Sequence, residues 1–397
     1  MAARRPRLVV VIPCRDEPEP LATLDSLAAC QPPEADIDVL VVVNGSDKDA
    51  APVHQRNQET LEQLRSWSEG RTDRFFDVSV AFHPRLPHRQ AGVGLARRIG
   101  MDEAARRLLD PPRPSGGIIV ALDADCRVAD NYFLAITEQF SARPKMVAAS
   151  IYFEHPLEGL EARHRAGIVG YELFLRAHRL GLRHAGFPHS FHTVGSAMAV
   201  RAATYRRVGG MNQRQAGEDF YFLQKVMAHG LFSDLTATTV FPSPRISHRV
   251  PFGTGRAMGQ WQDSEEETFF IHDPRIYEEL KIFFNTVPIL FQSGEAIVDD
   301  ALGALVPFLA GQRFPEALEE MRANTATISS FTKRFFHWFN LFRVMKFAHF
   351  AADGYYPRVP ATRGIVRLLE WMGQPLPDPQ DPEHLLMALR HMDRWIA

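Results

Sequence analysis

Apolar and polar positions alternate between two periods along the first third of the chain. Leu8–Ile12 (LVVVI) is a short β-branched run, the pattern of a parallel strand buried on both faces. Pro20–Cys30 sets Leu21, Leu24, Leu27 and Ala28 at helical spacing. Val39–Val43 (VLVVV) reads as a second buried strand that ends at the turn Asn44-Gly45-Ser46-Asp47, and a polar helix follows from His54 to Ser68. Val78–Phe82 predicts a third strand and Gly92–Leu109 a third helix. Ile118–Leu122 (IIVAL) predicts a fourth strand, set off by Pro111, Pro112, Pro114 and the pair Gly116-Gly117. This alternation predicts an α/β fold with a doubly wound, mainly parallel sheet. Ligands of such sheets bind beyond the carboxyl ends of the strands. Pro13-Cys14-Arg15, Asn44-Gly45-Ser46 and Asp123-Ala124-Asp125 all collect at that edge.

The second half is less regular. Glu158–Leu182 predicts a long helix with Leu160, Ile168, Leu173 and Leu175 among its apolar positions. Thr193–Val200 reads as extended and Glu218–His229 as helical. After Trp261 the chain turns helical and aromatic, through Tyr277–Gln292, Phe331–Phe350 and Pro382–Ile396. In the middle stretch, Phe335, Trp338, Phe339, Leu341, Phe342, Met345 and Phe350 have the spacing of a core-facing amphipathic helix rather than a membrane anchor. The expected organisation is a catalytic domain over 1–255, with halves 1–130 and 131–255, and a helical region over 256–397 packed on it.

Composition narrows the classes of function. With 45 Lys and Arg against 47 Asp and Glu, the formal net charge is −2. No basic excess exists to displace counterions from nucleic acid. The three cysteines Cys14, Cys30 and Cys126 form no C-x-x-C pair, which fits a reducing cytosol. The apolar run after the basic Met1–Arg7 stops at Pro13, too short for a signal peptide. No stretch reaches the roughly 20 apolar residues of a membrane span; peripheral membrane contact is left open.

Two acidic pairs carry the candidate chemistry. Asp123-Ala124-Asp125 follows an apolar strand directly, and carboxylates one residue apart can share a hard divalent cation that also takes diphosphate oxygens. The bland alternative is an Asp-rich turn, with Asp125 or Asp130 capping a helix that begins near Asn131. Glu218-Asp219 opens a helix, where acidic residues also suit the dipole. Arg97 and Arg98 read equally as anion contacts and as a solvated helix face.

Five blocks, in order, resemble glycosyltransferase family 2 over roughly the first 250 residues. They are VVVIPCRDEPEPLATLDSL, VLVVVNGSDKD, AGVGLARRIGMDEA, VALDADCRV, and GSAMAVRAATYRRVGGMN followed by GEDFYF. The resemblance implies a GT-A fold and transfer of a sugar from a nucleotide-diphosphate donor, a UDP- or GDP-sugar, to an acceptor the sequence does not identify. It also implies Mg²⁺ or Mn²⁺. Pro13, Arg15 and Glu17 would frame the nucleoside pocket. Asp16 stands where the family usually has Asn, and Asn44 where it commonly has an aspartate reading uracil. Arg89, Arg97 and Asp123 would meet the nucleotide, and Asp123 and Asp125 the metal, with His248 as a further ligand. Arg245 and Arg249 would contact the diphosphate from a loop after the base, with Gly253 and Gly255 giving it freedom. Asp219 would be the catalytic base of an inverting reaction, assisted by Glu218. The alternatives are a retaining GT-A enzyme similar to the glucosyl- or mannosyl-3-phosphoglycerate synthases, and a non-catalytic nucleotide-binding scaffold of the same fold. A sugar-phosphate nucleotidyltransferase lacks support, because no glycine-rich, Arg- and Lys-bearing loop follows the first strand.

Overall fold

The computed structural model describes residues 8–71, 74–109, 117–212, 217–247, 253–294, 302–377 and 381–395. The chain divides into two compact units. The first comprises residues 1–168, 191–264 and 390–397, and the second 169–190 and 265–389.

The first unit opens with β1 (Leu8–Cys14), α1 (Ala22–Ala28), β2 (Ile37–Ser46), α2 (Ala51–Gly70), β3 (Phe76–Leu86), α3 (Val93–Leu109) and β4 (Ile118–Ala121). It continues through β5 (Arg127–Val128), α4 (Tyr132–Ala142), β6 (Met146–Phe153), the start of α5 (Ala162–His184), β7 (Met198–Arg201), α6 (Ala202–Arg207), α7 (Glu218–Met227), β8 (Leu231–Phe241) and α8 (Thr254–Asp263). The expected α/β class is the one found. Among the described residues, eight strands form one sheet in the order β3-β2-β1-β4-β7-β6-β8-β5. Six strands share a direction, while β7 runs against both of its neighbours and β5 against β8. All seven residues of β1 are buried, as are all ten of β2, which accounts for their unbroken apolar runs. β2 extends through Ser46, so Asn44-Gly45-Ser46 close the strand instead of forming a free turn.

Parallel register fixes the functional edge. Val11 lies opposite Ala121, and Cys14 opposite Val43. The segments after β1, β2 and β4 therefore leave the sheet side by side. Because β7 is reversed, its first residue Met198 pairs with Ala121. The chain preceding β7 is thereby delivered to the same edge as Asp123.

The second unit carries the rest of α5, β9 (Phe270–Ile271), α9 (Arg275–Asn285), α10 (Val287–Ser293), α11 (Leu305–Gly311), α12 (Phe314–Ala323), α13 (Ile328–Trp338), α14 (Leu341–Gly354), β10 (Val359–Pro360), α15 (Ala361–Trp371) and the start of α16 (Pro382–Trp395). The stretches Tyr277–Gln292 and Phe331–Phe350, expected to be helical, each comprise parts of two helices. Pro288 has no N–H and its ring crowds the preceding turn, so the helix stops at Asn285 and restarts at Val287. At the second break, the Asn340 side chain accepts from the Arg343 N–H at 3.2 Å and caps α14. Phe283, Phe314, Phe335 and Phe339 pack together in the core of this unit, whereas Phe350 is exposed. No helix among the described residues is long and apolar enough to cross a membrane.

Candidate active site

The turn after β4 is held from below. Buried Thr23 of α1 directs its hydroxyl at the carbonyls of Ala124 and Cys126, at 2.7 and 2.8 Å, and the Cys126 N–H closes the turn onto the Asp123 carbonyl at 3.1 Å. Asp123 and Asp125 are both partly exposed above it.

Arg97 of α3 is buried to 2% exposure and reaches two of the predicted site residues at once. Its Nη2 lies 2.6 Å from Asp123 Oδ1, and its Nη1 bonds Glu218 Oε1 at the start of α7. The solvated-face reading of Arg97 is thus excluded. Arg98 instead sits partly exposed, 3.3 Å from Asp102 on the same helix. Burial by itself would lower the Arg97 pKa; the charges of Asp123, Glu218 and Asp219 outweigh it and hold the guanidinium above its ordinary value.

Asp219 is fixed by backbone groups. Oδ2 accepts from the Gly195 N–H at 2.9 Å, and Oδ1 from the Phe220 N–H at 2.8 Å. Burial raises the pKa of both Glu218 and Asp219; in each, the Arg97 charge pulls the other way without cancelling it. Gly195 has no room for a side chain: a Cβ there would lie 2.8 Å from Arg97 Nη1 and 2.9 Å from Asp219 Oδ2.

A second arginine spans the opposite flank. Arg245 forms a two-pronged pair with buried Glu17, with Nη1 2.6 Å from Oε1, and its Nη2 stands 3.4 Å from Asp125 Oδ2. Arg15 is paired with Asp49, its Nε 3.2 Å from Oδ2. Asp16 adopts φ +50°, a left-handed conformation that Asp and Asn tolerate better than most residues. The Asn57 side chain joins the turn after β1 to the end of β2, accepting from the Asp16 N–H at 2.8 Å and donating to the Asn44 carbonyl at 3.0 Å. Asn44 is 1% exposed, and its Nδ2 has no hydrogen-bond partner.

The structure therefore brings Glu17, Arg97, Asp123, Asp125, Glu218, Asp219 and Arg245 into one cluster at the sheet edge, with Arg15 and Asn44 on the neighbouring strand ends. Pro13 is buried within β1, opposite Val42. Arg89 stands exposed on the turn before α3. His248 and Arg249 lie outside the described residues. Thr23, Asp49, Asn57 and Gly195 are supports that the sequence reading missed. Gly195 leaves a trace, a glycine just ahead of a strand where backbone comes close to other groups; a hydroxyl such as that of Thr23 leaves none.

Five carboxylates (Glu17, Asp123, Asp125, Glu218, Asp219) face two guanidinium groups (Arg97, Arg245), a formal excess of three negative charges. Among the described residues no group of three or more His, Cys, Asp or Glu is arranged to hold a metal ion by itself. The donor set nonetheless fits a divalent cation of the Mg²⁺ type, which binds through one or two carboxylates and completes its shell with water and phosphate oxygens.

Residues 118–262, which run from β4 through the Asp123 turn, Asp219 and Arg245 into α8, match the model of glycosyl transferase family group 2. The match covers 145 of the 397 residues, and over that stretch the chain is similar to the family 2 glycosyltransferases. Among solved structures the chain is similar to S. aureus TarS 1–349 in complex with UDP-GlcNAc, at 11% identity over 98% of this chain and 90% of that one, with a TM-score of 0.41. It is also similar to the mannosyltransferase PcManGT from Pyrobaculum calidifontis in complex with GDP-Man and Mn²⁺, at 16% identity over 99% of this chain and 88% of that one, with a TM-score of 0.39. No curated protein matches it.

Proposed function

We propose that this enzyme is a metal-dependent, inverting glycosyltransferase that takes its sugar from a UDP- or GDP-sugar, with Asp219 as the base. The observation that carries the reading is the Arg97 bridge. One buried guanidinium ties Asp123, on the turn after β4, to Glu218, the neighbour of Asp219. A divalent cation held by Asp123 and Asp125 would supply positive charge against the diphosphate as the sugar leaves.

Each remaining role falls to a residue of the chain. Asn44 offers an amide with an unmet donor, the kind of group that a nucleobase carbonyl satisfies, and its carbonyl oxygen can accept in turn. Glu17, held by Arg245, and Arg15, held by Asp49, frame that pocket. Asp219 takes the proton of the acceptor hydroxyl as its oxygen attacks the anomeric carbon. The bond to the nucleoside diphosphate breaks on the opposite face, and its electron pair leaves with the diphosphate. The raised pKa of Asp219 makes it a stronger proton acceptor than an ordinary aspartate. Arg97 keeps the neighbouring negative charges from repelling one another. The three cysteines form no C-x-x-C pair, in keeping with a cytosolic location.

Calorimetry with UDP and GDP, with and without Mn²⁺, tests the donor half. Binding that requires the metal and is lost in Asp125→Ala, with the fold intact, is the expected result. Equal binding in the folded variant would reassign the metal site. NMR of the product anomer then separates inversion from retention.

A further inference from the structure

The last described turn of α16 belongs to the first unit and is bound there by a set of specific contacts. Arg390 donates to the His155 carbonyl at 2.8 Å. Arg394 lies 3.2 Å from Glu154 and stacks its guanidinium 4.4 Å from the centre of the Tyr152 ring. Asp393, between them in sequence, accepts from His192 Nε2 at 3.2 Å, and both side chains are only 10% exposed. Three residues of α16 thus hold the end of β6 and the segment that leads into β7.

That segment, 191–197, is the one that positions the base. The Phe191 ring packs on Phe232 at 4.7 Å, and the Ala197 carbonyl accepts from Ile151 at 2.8 Å. Between these anchors, His192 is clamped by Asp393 and by the Phe153 ring at 5.1 Å. Three residues on, the Gly195 N–H holds Asp219 Oδ2. The space at Gly195 is closed to a single carbon, so a shift of this loop transmits directly to Asp219 and Arg97.

We infer that Asp393 is a positioning residue of the transfer reaction: through His192 it fixes the loop whose Gly195 N–H aims the Asp219 carboxylate. This rests on Asp219 being the base, but its structural half is independent of any activity. The contact is 10% exposed on both sides and links positions 201 residues apart, so it is a built feature of the tertiary fold and not a chance surface pair. It also ties the last described turn of α16 to a loop inside the matched residues 118–262.

The test uses the full chain with Asp393→Ala, Asp393→Asn and His192→Ala. Asparagine keeps an oxygen that can accept from His192; alanine does not. Amide hydrogen exchange is followed by mass spectrometry, and turnover by release of nucleoside diphosphate from the donor sugar. In Asp393→Ala and His192→Ala, exchange over 192–197 should rise about tenfold while 118–126 stays unchanged, since only the clamped loop opens more often. Turnover should fall about tenfold with unchanged nucleotide affinity, the mark of a misplaced catalytic group. Asp393→Asn should behave as the parent. Unchanged exchange over 192–197 in both alanine variants overturns the inference whatever the activity does. Faster exchange with full turnover overturns the positioning role. Failure of the Asp219 assignment would appear elsewhere, as undiminished turnover in Asp219→Asn. Should Asp393→Ala not fold, His192→Ala severs the same contact from the loop side and decides the matter alone.

Discussion

With Arg97 buried between Asp123 and Glu218, loss of its charge would strand a carboxylate at a site of 2% exposure. Breaking a buried pair from one side costs roughly 3–5 kcal/mol, mainly the desolvation of the partner left behind. Arg97→Gln should therefore destabilise the fold by about that amount in urea unfolding. Glu218→Gln should cost less, because Arg97 keeps Asp123. A larger loss for the glutamate variant would contradict this order. Asp219 brings a pH dependence of two opposed signs. Burial raises its pKa above the ordinary 3.8, against the pull of Arg97 and of two N–H groups. A base must be ionised, so turnover should fall as pH drops through the raised value, placing the acid limb of the rate profile above pH 3.8. For stability, a raised carboxylate contributes most below its unfolded pKa and loses that contribution as pH rises through the folded one. Asp219→Asn, which cannot ionise, should accordingly be more stable than the parent at pH 7 in thermal unfolding. Equal or lower stability would mean that the buried charge costs the fold nothing.

At the scale of elements, local chemistry decides where period alone misleads. The apolar spacing of Phe331–Phe350 runs through the break at Asn340, because α13 and α14 bury aromatic residues in the same core. Their boundary is written in a capping side chain, not in the hydrophobic pattern. Asn340→Ala removes the acceptor for the Arg343 N–H and should cost about 1 kcal/mol, read as a lowered midpoint of thermal unfolding. No change would mean that the break is imposed by packing. β1, β2 and β4 were legible because burial on both faces leaves continuous apolar, β-branched runs. β6 and β8 were not read as strands: MVAASIYF is rich in Ala, and LFSDLTATTVF mixes polar residues into its run. The edge clusters were legible for a related reason. A parallel sheet places every strand-end turn on one side, so three local motifs implied one site. What joins them was not legible. Arg245 meets Glu17 across 228 residues of sequence, and Gly195 meets Asp219 only because β7 is reversed, which no period encodes.

At the scale of the molecule, the first unit contains the whole described cluster, gathered from segments as distant as Glu17 and Arg245, with the last turn of α16 added to it. The family match ends at residue 262, so it takes in 169–190 of the helical second unit and leaves 265–389 outside. The account of the enzyme stands or falls on Asp219 acting in the chemical step and not in donor binding. A sugar hydroxyl is a poor nucleophile at neutral pH, and a positioned base is worth on the order of 10² to 10⁴ in rate. Asparagine keeps the size of Asp219 and an oxygen for the Gly195 N–H, but cannot take the proton. The decisive measurement is turnover and nucleotide affinity of Asp219→Asn, side by side with the parent. The account predicts turnover lower by about 10² to 10⁴ with affinity unchanged, since Asp123 and Asp125 are untouched. Near-normal turnover with weakened nucleotide binding would place Asp219 in the donor pocket and contradict the inverting mechanism.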